Sequence, residues 1–301
     1  MKNKKSRLRS INNRNGLLFA LPWIIGFCFF VIYPFGSSLY YSFCDFDGTT
    51  SPFWIGIANY KEMLFNDDLF WISLYNTVYY VVFAVTLGTI WSISLALLLN
   101  IKIRGQSIYR TIYYVPAVVP IVASSVIWLW ILNPLYGIIN NGLAIFGIKG
   151  PGWLAEPMWS KPALVLMGFW GVGGAVVIYL AGLQGIPENL YESAEIDGAT
   201  VWHKILYVTL PMLSPAILFN VIMGVIGGFQ YFTQAFVMTG GGPANTTLFY
   251  SLYLYNNAFV YFRMGYGCAL AWVLFSIIMT CTFLIFRFSG KYVYYLSLIH
   301  I

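Results

Sequence analysis

Four carboxylates lie within ten residues in the segment PENLYESAEIDGATVWHKILYVTLP, which spans residues 187–211. They are Glu188, Glu192, Glu195 and Asp197, and long apolar runs flank the segment on both sides. A helix that lies on a membrane surface favours Lys and Arg, because these residues face anionic lipid. Acidic residues at this density therefore indicate contact with another protein rather than with lipid.

The same segment predicts two short helices that are separated by a bend. Pro187 is tolerated at a helix start, and acids that follow it interact favourably with the positive N-terminus of a helix. Gly198 predicts the end of the first helix, since glycine accepts the left-handed backbone that terminates many helices. We expect a second helix over about 200–208, before Pro211 opens the next apolar run. Small residues surround the bend and would fit a groove on a partner, namely Ser193, Ala194, Gly198 and Ala199.

Residues that could support catalysis or metal binding are few. The two histidines, His203 and His300, belong to no H-E-x-x-H pair, and the four cysteines show no C-x-x-C spacing. The chain has no G-x-x-x-x-G-K-[ST] phosphate loop, so it does not bind ATP by that route. We therefore expect a non-enzymatic chain that binds no metal or cofactor itself. If it takes part in active transport, another subunit must supply the energy.

The elements that position the acidic segment are apolar helices. Of the 301 residues, 59% are hydrophobic and 9% are charged, and the mean hydropathy is +0.74, whereas soluble domains carry about 25% charged residues. About 20 apolar residues are needed to cross a membrane as a helix. Membrane β-strands are instead short alternating segments of about ten residues. We predict an all-α membrane protein with six transmembrane helices, near residues 16–35, 71–99, 108–132, 163–183, 214–238 and 266–288.

The first apolar run follows the basic sequence MKNKKSRLRS, as a signal peptide would. Its apolar core is too long for a signal peptide, contains Pro22 and Pro34, and shows no small-residue cleavage site. We expect this run to be retained as the first membrane helix.

The distribution of Lys and Arg predicts that both chain termini are cytoplasmic. Twelve of the 16 basic residues lie in the N-terminal tail, the second and fourth connections and the C-terminal end, and four lie on the opposite side. The expected organisation is a basic tail at 1–15, a membrane domain at 16–290 and a C-terminal tail at 291–301. The acidic loop 187–211 is then cytoplasmic.

All ten acidic residues lie in predicted loops or at helix ends. A charge at the centre of a membrane helix costs roughly 2.5–3.5 kcal/mol, and ion-coupled carriers accept this cost to build relays. A proton-driven carrier is therefore disfavoured, whereas sodium coupling through backbone carbonyls stays open.

Three connections on the predicted external side have distinctive compositions. Segment 44–70 is acidic and aromatic, and segment 133–159 is rich in Gly, Pro, Asn and Trp. Both would form either an aromatic belt at headgroup level or a docking surface for an extracytoplasmic partner. The sequence MTGGGPANTT at 238–247 predicts a tight turn, because glycine tolerates positive φ and proline stops a helix. Its position suits contact with a partner or a gate.

Several motifs together resemble the maltose-type permease subunit of type I ABC carbohydrate importers. Residues 192–215 are similar to the EAA loop of that family, which reads E-A-A, three residues, glycine and an I-x-L-P element. The segments RGQSIYRTIYYVPAVVP, TGGGPANTT and YNNAFVYFRMGYGCALA also agree, and the resemblance spans about residues 16–295. The matching loop residues are Glu192, Ala194, Gly198, Leu210 and Pro211, whereas Ser193, Ile205 and Val208 depart from the pattern.

The resemblance implies a subunit of a bacterial inner membrane that imports a mono- or oligosaccharide. The implied partners are a second homologous permease, a cytoplasmic ABC ATPase dimer that carries ATP and Mg²⁺, and an extracytoplasmic sugar-binding protein; no nucleic acid is implied. The loop would dock on the ATPase, with Glu192 orienting it and Gly198 permitting its bend. The resemblance thus assigns ATPase coupling to Glu192, Ser193, Ala194, Asp197, Gly198 and Pro211.

The same resemblance places a sugar pathway on the fourth and fifth membrane helices, where aromatic and neutral polar side chains occur together. The glycines there would equally let helices pack closely, and the aromatic side chains would equally face lipid. A neutral sugar is favoured over glycerol-phosphate, since the predicted spans carry no Lys or Arg at mid-helix. A self-contained facilitator or ion-coupled carrier is the competing class. The candidate pathway residues are Trp170, Gly174, Gly228, Phe229, Gln230 and Tyr231.

The C-terminus departs from the family pattern. Members commonly end soon after a KWVYYE-like element, whereas this chain continues from KYVYY into the apolar LSLIHI. We expect residues 296–301 to be non-native, and we assign no role to His300.

Overall fold

The computed structural model describes residues 16–101, 103–290 and 293–294. The predicted N-terminal tail at 1–15 and the expected non-native residues 296–301, with His300, lie outside these described residues. The elements are mainly helical and are numbered here in chain order. They are α1 Gly16–Ser42, β1 Cys44–Asp45, β2 Phe53–Trp54, α2 Ala58–Phe65, α3 Asp68–Asn100, α4 Gln106–Val118, α5 Ile121–Ile131, α6 Ile138–Ile145, α7 Pro157–Trp170, α8 Gly173–Gln184, α9 Glu188–Ile196, α10 Val201–Phe229, α11 Thr233–Met238, α12 Tyr250–Tyr255 and α13 Met264–Ser289.

The predicted all-α architecture with up to six membrane spans is confirmed. Four helices of the described chain, α1, α3, α10 and α13, are long and apolar enough to cross a membrane. Two further spans are bent helix pairs, α4 with α5 at 101° and α7 with α8 at 48°. Counting each pair as one span gives six.

The bounds predicted for the fifth span were wrong. The helix runs over Val201–Phe229 rather than 214–238, so the expected short helix near 200–208 is its first part. Thr200 is its N-cap, and Thr200 Oγ1 accepts a hydrogen bond from the His203 amide at 3.4 Å, as N-cap residues do. Pro211 does not interrupt it, because a π-helical turn at Ile205–Thr209 precedes this proline and rearranges the local hydrogen bonds.

The described residues form two compact units, and each is considered by itself. The first comprises residues up to Asn66 together with Tyr255–Val273. Its strands β1 and β2 pair antiparallel, and the buried Asn59 amide donates to the Ser42 and Cys44 carbonyls at 2.9 and 3.0 Å. Arg263 binds both carboxylate oxygens of Glu62 at 2.7 Å, which ties α2 to the segment before α13.

The second unit comprises Asp67–Leu254 and the described residues from Leu274 onward. Its core lies between α3, α8 and α10, where close packing rather than water exclusion holds membrane helices together. Tyr191 of α9 packs against this core, so the acidic loop rests directly on it. The core residues are Leu95, Ala96, Leu99, Val176, Tyr179, Leu180, Leu183, Ile186 and Leu213.

Candidate functional site

The acidic loop is a capped helix with a sharp exit. The Gly198 amide donates to the Glu195 carbonyl at 3.0 Å, and the Ala199 amide donates to the Ala194 carbonyl at 2.9 Å. Together with a Gly198 φ of 77°, these two bonds form a Schellman motif, which satisfies carbonyls at the end of α9. The bend predicted at Gly198 is therefore present, and it requires the left-handed conformation that glycine adopts without strain.

Two side-chain contacts attach α9 to the start of α10. The Tyr191 hydroxyl lies 3.0 Å from Thr209 Oγ1, and Lys204 Nζ lies 2.6 Å from Glu195 Oε1. The ion pair is partly exposed and adds little to stability, but with the tyrosine contact it fixes the angle between the helices. A displacement of α9 would therefore be transmitted to α10.

The tip of the loop exposes apolar side chains beside its carboxylates. Ile196 is 87% exposed and Trp202 is 73% exposed, and the acidic residues Glu192 and Asp197 of the same loop are also exposed. Exposed apolar groups rimmed by polar residues are typical of protein interaction sites. The other predicted loop residues have mainly local roles: Ser193 Oγ donates to the Asn189 carbonyl at 2.8 Å, Ala194 is half-buried, and Pro211 lies within α10.

A second feature lies where the third span breaks. Helix α4 ends at Val118 and α5 begins at Ile121, and Pro116 and Pro120 have no amide hydrogen to continue the ladder. The first amides and last carbonyls of any helix have no partner within that helix. Discontinuous membrane helices use such backbone groups to bind polar solutes, so this break can supply hydrogen bonds inside the bundle.

A cavity of about 350 Å³ opens at the break. Three aromatic side chains, those of Tyr80, Trp170 and Tyr231, lie in its walls, and the rings of Tyr80 and Tyr231 lie 4.1 Å apart between centroids. All twelve residues that line it among the described part of the chain are uncharged. They are Tyr80, Pro116, Ala117, Val119, Ile121, Ser124, Met167, Gly168, Trp170, Gly171, Tyr231 and Gln234.

The structure separates the predicted pathway residues into two groups. Trp170 and Tyr231 line the cavity. Gly174 and Gln230 are exposed and lie outside its lining, while Gly228 and Phe229 are buried. A Cβ at Gly228 would lie 2.9 Å from Val81 Cγ2, so this glycine allows α10 to approach α3 closely, as small residues do in membranes.

Three polar cavity residues escaped the sequence analysis, namely Tyr80, Ser124 and Gln234. Tyr80 lies in a uniformly apolar run, and nothing in the neighbouring sequence indicates that its side chain lines a cavity. The proline pair in YYVPAVVP was the available signal for the cavity, because prolines that interrupt an apolar segment indicate a broken span.

The loop 238–247 is fixed to α3 and α7 by buried polar contacts. Asn76, which is 2% exposed, donates from Nδ2 to the Asn245 and Leu248 carbonyls at 2.8 and 3.2 Å. Its Oδ1 accepts from Lys161 Nζ at 3.0 Å. Asn76 thus joins α3, α7 and the loop, and these contacts hold the tight turn predicted around Gly240–Gly242 in place. The role of this turn as a gate or partner contact stays a prediction.

Replacing Asn76 with aspartate is expected to destabilise the protein strongly. A carboxylate cannot donate to the two carbonyls, and each buried polar group left without a partner costs about 1–3 kcal/mol. We expect the apparent melting temperature in detergent to fall by several degrees. Asn141→Asp is the matched control, since Asn141 makes its one described amide contact at an exposed site. Equal melting temperatures for the two variants would contradict the role of Asn76.

Comparisons with known proteins agree with this geometry. A family model described as binding-protein-dependent transport system inner membrane component matches residues 84–294. The probable ABC transporter permease protein YesP of Bacillus subtilis (strain 168) is 40% identical over 298 residues, 98% of this chain and 96% of the relative. The lactose transport system permease protein LacF of Rhizobium radiobacter is 36% identical over 289 residues, 94% of this chain and 96% of the relative.

The fold also matches a solved structure. In the crystal structure of a bacterial alginate ABC transporter in complex with an alginate pentasaccharide-bound periplasmic protein, one chain gives a TM-score of 0.82 at 24% identity, covering 95% of this chain and 98% of that chain. The family match covers most of the described membrane helices, and both relatives are named as permease subunits, which are not themselves enzymes. The chain therefore belongs to the family of inner-membrane components of binding-protein-dependent transport systems, the multi-pass permease subunits of ABC transporters.

Proposed function

We propose that this chain forms half of the translocation pathway of an ATP-driven importer for a neutral mono- or oligosaccharide. The observation that carries the proposal is the uncharged cavity at the broken span, with Tyr80, Trp170 and Tyr231 in its walls. Aromatic faces pack against the apolar faces of sugar rings, while Ser124, Gln234 and free backbone groups can bind hydroxyls. Its volume lies at the small end of the range for ligand sites.

An anionic solute such as glycerol-phosphate fits this cavity poorly. A buried charge needs a partner of opposite sign, and the described lining offers none. Lys161 lies near the start of α7 and is engaged with Asn76 and with the rings of Tyr75 and Tyr79, 4.8 and 4.9 Å from its ammonium. The lactose relative supports a sugar as the transported solute.

We further propose that a second, homologous permease completes the pathway and that a cytoplasmic ATPase dimer docks on α9. ATP and Mg²⁺ bind to that dimer, and an extracytoplasmic binding protein delivers the sugar. The exposed apolar tip at Ile196, Val201 and Trp202 would enter a groove of the ATPase. The carboxylates around the tip would meet basic groups at the rim of that groove.

The coupling step follows from the continuity of α10. This helix of 29 residues is roughly 43 Å long at 1.5 Å per residue, and it connects Thr200 with Phe229. Tyr231, two residues beyond its end, lines the cavity. Closure of the ATPase would displace α9, and the Tyr191–Thr209 and Glu195–Lys204 contacts would transmit that displacement along α10 to Tyr231.

The proposal is tested by expressing the chain with the transport proteins encoded beside it and reconstituting the purified material in liposomes. We expect an ATPase and a second permease to co-purify, and uptake of a radiolabelled sugar to require ATP and the binding protein. Uptake by the chain alone, without an ATPase, would instead establish a self-contained carrier. ATP-dependent uptake of an anion but no neutral sugar would exclude the proposed substrate class.

A further inference from the structure

A second, apolar cleft lies beside the sugar cavity and shares Trp170 and Pro116 with it. The cleft has a volume of about 600 Å³, and its walls include Trp91, Ile112, Trp128 and Phe169. Trp91 and Ile112 are 44% and 59% exposed, so the cleft opens at the surface of the second unit. In a membrane protein such an opening faces lipid or another membrane helix.

One end of this cleft is polar. Tyr113 lines the apolar cleft and also a smaller cavity of about 250 Å³, whose walls include Arg110, Val177 and Gln184. Arg110 is five residues into α4, and Pro116 lies roughly 9 Å further along the helix axis. The two cavities therefore adjoin at Tyr113 along α4, and together they are called the groove, with a cation at one end and aromatic and aliphatic walls at the other.

The guanidinium of Arg110 is held in place by one of its edges. Its Nε and Nη2 atoms both donate to the Leu99 carbonyl, at 3.3 and 3.2 Å. Within residues 16–101, 103–290 and 293–294, no carboxylate lies within ion-pair distance of it. A guanidinium has five N–H donors and binds phosphate through two parallel bonds. The Nη1 side of Arg110 thus remains for an anion, already oriented by the bonds on the other edge.

We propose that this groove binds one phospholipid, with the phosphate diester on Arg110 and one acyl chain along the apolar cleft. The cation lies near the start of α4, one turn into the helix, and the apolar walls continue towards the break in the third span. This is the order of charge and hydrocarbon in a lipid leaflet. The proposal rests on the membrane-embedded permease fold and not on the identity of the transported solute.

Bound lipid would also support the sugar cavity. Trp170 belongs to both sets of walls, and the Trp128 and Trp170 rings meet edge to face at 6.3 Å. An acyl chain against these rings restricts the Trp170 indole, which forms part of the proposed sugar site. Transport should then depend on phospholipid that occupies this groove.

The test uses the full-length chain in complex with its co-expressed partner subunits, delipidated in detergent and titrated with dioleoylphosphatidylglycerol under native mass spectrometry. Arg110→Gln removes the phosphate contact, and Arg104→Gln is its control, since Arg104 is exposed and outside the groove. Ile139→Trp fills the apolar cleft, and its exposed neighbour Ile138→Trp, outside the cleft lining, does not. We expect one tightly retained lipid, with affinity at least about tenfold weaker in the two groove variants and within about twofold of wild type in the controls.

Three results would overturn the proposal. Equal lipid affinity in all four variants would show that the groove is not the binding site. Loss of both lipid affinity and inorganic phosphate binding in Arg110→Gln, with neither lost in Ile139→Trp, would identify a free-anion site. Release of the second permease from Arg110→Gln, with no change in lipid affinity, would identify the groove as a subunit interface. In each case ATP-dependent sugar uptake by the wild-type complex would be unaffected. Failure of the lipid proposal would therefore leave the proposed import function intact.

Discussion

Replacing Gly198 with valine is expected to uncouple the transporter: sugar uptake falls at least about tenfold while the complex still assembles. Gly198 has a φ of 77°. A left-handed conformation costs a residue with a Cβ roughly 1–2 kcal/mol, and the cost is greatest for β-branched residues such as valine. Relief of that strain would break the bonds to Glu195 and Ala194 that cap α9. The tip at Ile196 would then lose its fixed angle to Val201 and Trp202. Uptake and ATP hydrolysis are measured in the same proteoliposomes.

Gly198→Asn is the matched control for this change. Asparagine adopts the left-handed conformation more readily than other non-glycine residues, and a Cβ at this position meets open space. We expect Gly198→Asn to retain most of the sugar uptake. In Gly198→Val, basal ATP hydrolysis should remain, but the binding protein should no longer stimulate it. Wild-type uptake in Gly198→Val would show that the capped geometry of α9 is not needed for coupling.

Replacing Trp170 with alanine is expected to raise the sugar concentration that gives half-maximal uptake by about 30-fold. Buried aromatic side chains at binding sites commonly contribute 2 kcal/mol or more, and each 1.4 kcal/mol corresponds to a factor of ten in affinity. Trp170 lines the cavity and is separated from α9 along the chain by the 12 residues of α8, roughly 18 Å of helix, so docking of the ATPase should not change. The sugar concentration that gives half-maximal uptake is measured, together with basal ATP hydrolysis.

Gly174→Ala tests the boundary of the site. Gly174 was predicted to lie on the pathway, but it is outside the described cavity lining, and an added Cβ would have no heavy atom within 4 Å. We expect nearly normal uptake. Loss of uptake in Gly174→Ala, with normal uptake in Trp170→Ala, would move the pathway away from the cavity and to the exposed face of α8.

The sequence predicted the features that arise locally. The six apolar runs correspond to four long apolar helices and two bent helix pairs, because membrane crossing depends on length and hydropathy. The bend at Gly198 followed from a glycine at a helix end. The limits of α10 did not follow, because the π turn at Ile205–Thr209 admits Pro211 into a continuous helix. A π turn has no reliable signature in one sequence.

The cavity was only partly predictable for a different reason. Trp170 and Tyr231 were predicted to line the pathway because of their aromatic side chains, and both line the cavity. Gly174, Phe229 and Gln230 were predicted on the same kind of reasoning, yet they lie outside the lining. Which side of a uniformly apolar helix faces inward depends on packing between helices, and an apolar run does not encode it. Tyr80 illustrates the point, since its place in the wall depends on the approach of α3 to Tyr231.

Because α10 is continuous, it limits the positions at which a segment of this subunit can be exchanged for the matching segment of a related permease in a chimaeric protein. Every residue added to a helix advances its end by about 1.5 Å and turns it by about 100°, so a single insertion between Pro215 and Phe229 would aim Tyr231 at a different neighbour. A junction placed within α10 must therefore preserve helical phase, or shift it by about seven residues, which make two turns. A junction placed before Thr200 avoids this constraint, because the bend at Gly198 separates the phase of α9 from that of α10.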